Sequence, residues 1–482
     1  MTAEHLCCDV AVVGAGPAGL AASLAAAEAN AVVICIDQFP RAGGQYHMQP
    51  NASGTPFANT PQVQQGQQAI QACEAANVRF LTGAELFWAE PPKTPDAPFR
   101  LHLARDDQAI VIEAKTVVAA TGAMERPMPF PGWTLPGVIG AGAGQRLLKT
   151  SGATCALPFE GKTVLAGSGP FLLAVASTFA KAGQGIDHFV ERQPAALWTK
   201  AKAMLRHPSR LPDAIALLRD LSRTGARRHM GAIVTRAMGN GKVEAVEISP
   251  VGANGQPDLQ QSFVVDGVGA LCIGYGFQPV IDLTTALGAA HSYDLSLGGW
   301  YCGVDAMSGA TSVSGLYAAG EVTGLGGANP ARISGQLAGL HAAATCVKET
   351  SGLNDTAIQA IVTQLNKHRA FAATLAQLYP MPESFPVPLA EDDVVCRCED
   401  VTLADINAAI AEGARENLAV KMWTRAGMGL CQGRNCGASI AATLREAGVE
   451  PEHTGYNRSH FPLRPVSARI AKEALTCEFS PD

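Results

Sequence analysis

Four cysteines near the C-terminus of this 482-residue sequence carry the first recognisable chemistry. They form two close pairs, Cys396-Arg397-Cys398 and Cys431-Gln432-Gly433-Arg434-Asn435-Cys436, with thirty-two residues between them. Thiolates grouped in this way can hold a zinc ion or an iron–sulfur cluster. Spacing alone does not decide, although a Cys-x-Cys pair is shorter than the usual zinc knuckle. Lys421, Arg425 and Arg434 would offset the negative charge of such a centre. Gly427, Gly429, Gly433 and Gly437 leave the backbone free to wrap it and to donate N–H groups to sulfur. A second chemistry stands at the other end, in the turn Gly14-Ala15-Gly16-Pro17-Ala18-Gly19. Gly14 permits a tight turn, Gly16 lets a pyrophosphate approach the backbone, and Gly19 lets a helix pack close to a strand. Asp37, eighteen residues beyond Gly19, is spaced to accept from adenosine ribose hydroxyls.

These residues need particular elements around them. Residues 9–14 read as a short strand, Leu20 to Ala29 as an Ala-rich helix, and Ala31 to Ile36 as a second strand. The helix N-terminus then offers free N–H groups and positive dipole to phosphates. The pattern recurs at Lys162–Ala166, Gly167-Ser168-Gly169-Pro170-Phe171-Leu172, a helix to about Lys181, and Ile186–Val190 ending at Glu191. Two readings stay open there: an NAD site with Glu191 on the ribose, or a retained fold with an altered pocket. Leu172 replaces the third glycine and would push helix and strand apart unless the packing adapts. Farther on, Tyr379–Pro388 is Pro-rich and reads as an extended, exposed linker. In the cysteine module Thr402 and Asp405 start a helix, and Ile406, Ile410 and Leu418 supply a small core. So small a unit would draw much of its stability from its metal centre.

Composition sets bounds. The chain is 47% hydrophobic and 16% charged, which suits a well-filled α/β interior and argues against disorder. Its length allows about three domains. A net charge of −6 predicts no nucleic-acid partner. The first residues lack a secretory pattern, and no apolar stretch is long enough for a transmembrane segment. The other cysteines (Cys7, Cys8, Cys35, Cys73, Cys155, Cys272, Cys302, Cys346 and Cys477) read as buried thiols of a reducing, cytoplasmic compartment. Cys7-Cys8 precede the first expected strand, and no Cys-x-x-Cys or Cys-x4-Cys stands before residue 390, which argues against thiol–disulfide chemistry.

Several segments resemble known families. Arg41-Ala42-Gly43-Gly44-Gln45, Thr116–Ala123 and Ser314–Glu321 resemble the FAD motifs of flavoproteins with two dinucleotide-binding domains, the glutathione and thioredoxin reductase type. The resemblance implies FAD held by Gly14, Gly16, Pro17, Ala18, Gly19, Asp37, Gln38, Gly44, Gln45, Thr121, Gly122, Gly320 and Glu321. Glu321 stands where that group carries Asp, so it either binds the ribityl chain or only shapes the turn. His47 either approaches the flavin or is a satisfied structural histidine. Gly324–Pro330 is expected to bring backbone close to the flavin. Val395–Glu399, Lys421–Gly429 and Cys431–Cys436 resemble the bacterioferritin-associated-ferredoxin-like [2Fe–2S] domain. That domain is fused in the large subunits of heteromeric amine and amino-acid dehydrogenases, the family of opine oxidase, proline or hydroxyproline dehydrogenase and hydrogen cyanide synthase. The sarcosine oxidase α subunit is related.

The second resemblance implies Cys396, Cys398, Cys431 and Cys436 as cluster ligands and an α/β fold. Its domains would be a discontinuous FAD-binding domain (1–125 and 270–350), a second dinucleotide-like domain (126–269), a helix and linker (351–389), a [2Fe–2S] domain (390–450) and an extended tail (451–482). It also implies an FAD-containing partner β subunit of the D-amino-acid oxidase type, which oxidises an opine, proline or hydroxyproline, and a small third subunit. An electron acceptor, FMN at a subunit interface, and NAD or ATP as a second nucleotide complete the set. The complex could associate peripherally with the inner membrane. The alternative is a self-contained NAD(P)H-dependent flavin/iron–sulfur reductase. No residue stands out as a catalytic acid or base.

Overall fold

The computed structural model describes residues 3–50, 55–151, 154–195, 205–347 and 354–476; Cys477 lies outside them. Its first layer grows from the strand Glu4–Val13, whose residues Val10 to Val13 are buried. This strand pairs in parallel with Val33–Asp37 on one side and with Gln108–Ala119 on the other. It is longer than expected because Glu4–Cys8 pairs with Ile110–Ala114. Cys7 and Cys8 therefore lie within the strand, and its alternation leaves Cys7 exposed and Cys8 buried. Arg79–Thr82, Glu85–Glu90 and Phe99–Arg105 extend the sheet to its edges. From far along the chain, Leu316–Ala318 joins in parallel beside Val117–Ala119. Helix Pro17–Glu28 packs against helix Ala328–Cys346 at very short range. A Cβ at Gly335 would stand 2.0 Å from the Ala18 carbonyl oxygen, and one at Gly339 would stand 2.2 Å from that of Ala22. Small residues on both helices allow this approach.

The second layer is a five-stranded parallel sheet. Its order is Arg227–Met230, His188–Glu191, Lys162–Gly167, Val268–Gly274 and Val138–Gly140. Helices Ala141–Thr150 and Pro170–Lys181 flank it. A three-stranded antiparallel sheet, Ala232–Met238, Ala245–Pro250 and Phe263–Asp266, covers one end. Leu172 does not pry helix from strand; it is 1% exposed and fills a core with Ala141, Leu165, Val175 and Cys272.

Two expectations are corrected here. The Pro-rich linker has no regular structure, but it is not a free exposed tether. Phe385 and Val387 are buried in the core of the second layer, and Arg126 donates to Pro382 O at 2.9 Å. The tail is not extended throughout. Ala468–Leu475 is a helix that buries Ile470 and Ala474 against Ala3, Phe87 and Val111.

The cysteine module comprises the short strands Val394–Cys396 and Val401–Thr402 and the helices Leu403–Ala411, Asn417–Thr424 and Gly437–Glu446. Ile406, Ile410, Val420, Ile440 and Leu444 form its core. Leu418, expected in that core, is only half-buried, and Val420 takes the inward position. Among the described residues no helix is long and apolar enough to cross a membrane.

Candidate functional site

The first glycine turn behaves as its spacing demands. Gly14 has φ +107°, and a Cβ there would meet Ala120 O at 2.3 Å. A Cβ at Gly19 would stand 1.6 Å from Gly14 O, so any side chain would separate helix from strand. Around Gly16 there is room: a Cβ would meet only Gly44 Cα, at 3.9 Å. The turn opens on a cavity of about 1440 Å3. Gly14, Gly16, Pro17, Ala18, Asp37, Gln38, Gly44, Gln45, Thr121, Gly122 and Glu321 all line it. Gly19 and Gly320 stand behind the wall as packing residues, with a Cβ at Gly320 only 2.8 Å from the Ala18 methyl.

The two acids at the cavity hold backbone. Asp37 is buried; its carboxylate accepts from Ala15 N at 2.7 Å and from Phe39 N at 2.8 Å. Burial pushes its carboxyl up, and these two bonds oppose the shift. Its remaining lone pairs are what a ribose could use. Glu321 reaches forward and accepts from Gly327 N at 2.7 Å and Gly326 N at 3.2 Å. It thereby shapes the loop ahead of helix Ala328–Cys346 while still lining the cavity. Thr121, just past strand Gln108–Ala119, donates to Val280 O at 2.6 Å and ties the end of that strand to the segment before helix Asp282–Ala286. His47 is a structural histidine: it is buried, and its Nδ1 pairs with Gln62 O at 2.7 Å.

One acid escaped the sequence reading. Glu125 lines the cavity and accepts from Gly142 N at 2.8 Å, at the start of helix Ala141–Thr150. Burial raises its carboxyl, against the backbone N–H groups of Gly142, Ala143 and Ala141. Gly140 and Gly142 leave it room, since Cβ atoms there would stand 2.3 and 3.0 Å from its Oε2, but no pattern in the sequence around Glu125 marks this role.

The second glycine turn faces the same cavity through Ser168, Gly169, Pro170 and Phe171. Glu191 is buried and turned back on that turn, accepting from Gly169 N at 3.0 Å and Gln193 N at 2.9 Å.

The four clustered cysteines lie close together. Cys396 and Cys436 are buried, Cys431 is half-buried and Cys398 is exposed. They associate two and two, Cys396 with Cys436 and Cys398 with Cys431. The contact with Cys436, aided by backbone N–H groups of Gly427, Glu399 and Cys398, brings the Cys396 thiol down to about 6, although burial opposes it. The same contact and burial raise Cys436. Left-handed backbone at Arg425, Gly427, Gln432 and Gly433 wraps the loops around the thiols. Four thiols in two pairs are the donor type and number of a binuclear cluster, whose two irons share four protein sulfurs, but among the described residues no three His, Cys, Asp or Glu side chains are gathered closely enough to hold a metal ion.

The three basic residues are placed differently than their charge suggested. Arg425 pairs with Glu399 at 3.1 Å and Arg434 pairs with Asp282 at 2.8 Å, so two of the three are already neutralised. Arg434 also donates to Cys431 O at 3.0 Å and Leu463 O at 2.7 Å, and it lines the cavity. It therefore fixes the cysteine module to the wall of the nucleotide cavity. The twelve described cysteines are all free.

Comparison with known proteins agrees with this architecture. A family model described as pyridine nucleotide-disulphide oxidoreductase matches residues 8–348, and one described as a BFD-like [2Fe-2S] binding domain matches residues 394–446. An opine oxidase subunit of Agrobacterium tumefaciens (strain Ach5) is 32% identical over 481 residues, 97% of this chain and 91% of that one. Hydrogen cyanide synthase subunit HcnB of Pseudomonas aeruginosa is 31% identical over 469 residues, 94% of this chain and 96% of that one. The crystal structure of L-proline dehydrogenase from P. horikoshii shares the fold, with a TM-score of 0.68 at 19% identity over 98% of this chain and 80% of that one. The chain thus belongs to the pyridine nucleotide-disulphide oxidoreductase family, as an FAD-binding oxidoreductase with a C-terminal BFD-like [2Fe-2S] domain, alongside its opine oxidase relative.

Proposed function

We propose that this chain is the electron-transferring large subunit of a heteromeric dehydrogenase whose partner subunit oxidises an opine, proline or hydroxyproline. The observation that carries the reading is Arg434. One side chain lines the nucleotide cavity, binds Asp282 of the FAD-side domain, and holds the Cys431 carbonyl of the cysteine module. A dinucleotide site and a thiolate site are thereby held as one unit. When bound, flavin supplies two-electron chemistry that can be released singly, and the cluster supplies one-electron chemistry.

In this reading Gly14, Gly16, Pro17 and Ala18 receive the pyrophosphate, and Gly19 keeps the helix against the strand. Asp37 and Gln38 meet the ribose, and Gly44, Gln45, Thr121 and Gly122 border the flavin end. Gly320 and Glu321 set the loop before the last helix. Cys396, Cys398, Cys431 and Cys436 hold the cluster. Cys398 is exposed and lies against Gly429, whose neighbours Met428 and Leu430 are exposed too, which supports an acceptor reached from outside. The opine oxidase relative and HcnB are by name subunits of larger enzymes, which supports a partner; we assign it as a β subunit of the D-amino-acid oxidase type, with a small third subunit. FMN at their interface and a cytoplasmic complex, peripheral at the inner membrane, belong to the same proposal.

The test is co-expression with the neighbouring genes, followed by dye reduction on addition of each candidate amine. Expected is substrate-dependent reduction by the complex and none by the isolated chain. Rapid flavin reduction of the isolated chain by NADH would overturn the proposal and favour a self-contained reductase acting through the second glycine turn.

A further inference from the structure

A second, smaller cavity lies where the two layers and the cysteine module meet. Its volume is about 120 Å3. That is about the space of four liquid waters, enough for one small oxyanion and too little for a nucleotide. The chain crosses between the layers at Ala123–Glu125 and Phe277–Pro279, and the two crossings pair as an antiparallel ribbon. Arg126, directly after the first crossing, is 4% exposed and lines this cavity. Its Nη1 donates to the neutral Pro382 carbonyl at 2.9 Å. Arg445, on helix Gly437–Glu446, lines the same cavity and holds the Glu383 carbonyl at 3.1 Å. Among the described residues neither arginine makes an ion pair. Asp282 is the single acid among the described residues on the wall, and Arg434 already binds it at 2.8 Å.

Three polar atoms on this wall are shielded from solvent and have no hydrogen-bond partner: Trp300 Nε1, Asn417 Oδ1 and Asn457 Oδ1. Asn417 is 2% exposed, and its amide nitrogen is spent on Thr454 O and Gly455 O at 3.2 and 3.0 Å. That leaves its oxygen as the free atom. Tyr293 and Tyr456 hold the Trp300 ring edge-on, with centroids 5.5 and 5.0 Å away. The first turn of helix Gly437–Glu446 adds its positive end, since Gly437 and Ala438 border the cavity. Water alone is the simpler filling, and it would satisfy the three neutral atoms. It leaves two guanidiniums on one wall without a counter-charge. Burial, and then the charge of Arg445, push Arg126 down to about 10, with Tyr293 opposing. An anion offsets that cost, and one that keeps an O–H can also donate to the asparagine oxygens.

We propose that this cavity binds a small oxyanion that carries a hydroxyl, of the hydrogen phosphate kind. Arg126, Arg445 and Trp300 Nε1 are its donors, and Asn417 and Asn457 are its acceptors. The anion is a structural ligand that ties the ribbon and the FAD-side strands to the cysteine module. Neither Arg126 nor Trp300 lines the larger cavity, so the site stands apart from the flavin reading. Inorganic phosphate is titrated into the full chain as purified, by calorimetry at neutral pH and low ionic strength, with sulfate as the comparison. Expected is one phosphate per chain and a melting midpoint above that in chloride of equal ionic strength. Sulfate should bind about tenfold more weakly, because it brings no proton to Asn417. Trp300→Phe keeps the ring and removes the donor, and Arg126→Gln removes one charge. Each should weaken phosphate by about tenfold or more and leave flavin content unchanged. Three results would overturn the site: no phosphate binding, sulfate as tight as phosphate, or binding insensitive to both variants, as at the Gly14–Gly19 turn. If Arg126→Gln does not fold, Trp300→Phe alone decides.

Discussion

Gly16 and Gly19 belong to one motif, yet their surroundings assign them different tasks. A methyl group at Gly19 collides with Gly14 O at 1.6 Å, whereas one at Gly16 finds nothing nearer than Gly44 Cα at 3.9 Å. Gly19→Ala should therefore lower thermal stability and lose flavin together. Gly16→Ala should fold with a near-normal melting midpoint but retain little flavin, because its methyl enters the space meant for phosphate. Equal stability loss in both variants would contradict this division of labour. The cysteines separate in a similar way. Cys398→Ser should remove two iron atoms and two acid-labile sulfides per chain and leave flavin bound, since the thiols and the glycine turn belong to different domains. Stoichiometric zinc in the natural protein would sink the cluster assignment. The glycine tasks were legible because the successive residues Gly14 to Gly19 and their local backbone geometry define them. Glu125 was not legible, since its task depends on a helix start that only the tertiary fold brings to its carboxylate.

At the scale of elements, local signals were readable and tertiary ones were not. Thr402 and Asp405 form a full capping box: the Thr402 hydroxyl accepts from Asp405 N, and the Asp405 carboxylate accepts from Thr402 N at 2.9 Å. All of that is written within the run Thr402 to Asp405. Thr402→Ala should cost about 1 kcal/mol. In so small a module the loss should appear as faster bleaching of the cluster absorbance under mild denaturant, with flavin release unchanged. By contrast, Ala468–Leu475 is too short to be stable as an isolated helix. It forms because Ile470 and Ala474 have a place against Phe87 and Val111, which lie hundreds of residues earlier. The linker misled for the same reason, as its proline content describes backbone shape and says nothing of the pocket that receives Phe385 and Val387.

Across the whole molecule, ion pairs, hydrogen bonds and an apolar cluster fasten the C-terminal segments to the FAD-side domain, and one of these contacts titrates. His291 accepts or donates with Thr284 Oγ1 at 2.9 Å through Nε2 and meets the Tyr456 hydroxyl at 3.4 Å through Nδ1. Tyr456 lies just beyond the cysteine module and also packs edge-on against Trp300. Burial lowers the His291 imidazole from 6.5 to about 4. The unfolded chain therefore takes up this proton near pH 6.5, and the folded chain only near pH 4. Stability from the neutral ring is complete above pH 6.5, declines as pH falls below that value, and is lost below about pH 4. His291→Gln keeps a polar group in place without the titration. Urea midpoints measured between those limits should fall with acidification in the natural protein and fall less steeply in the variant. Parallel curves would show that the joint around Tyr456 is not where acid loosens the assembly. The contrast also bears on the cluster, because Arg434 binds Asp282 in the segment that leads to His291. Loosening at His291 should therefore speed cluster loss on mild acidification before flavin is released.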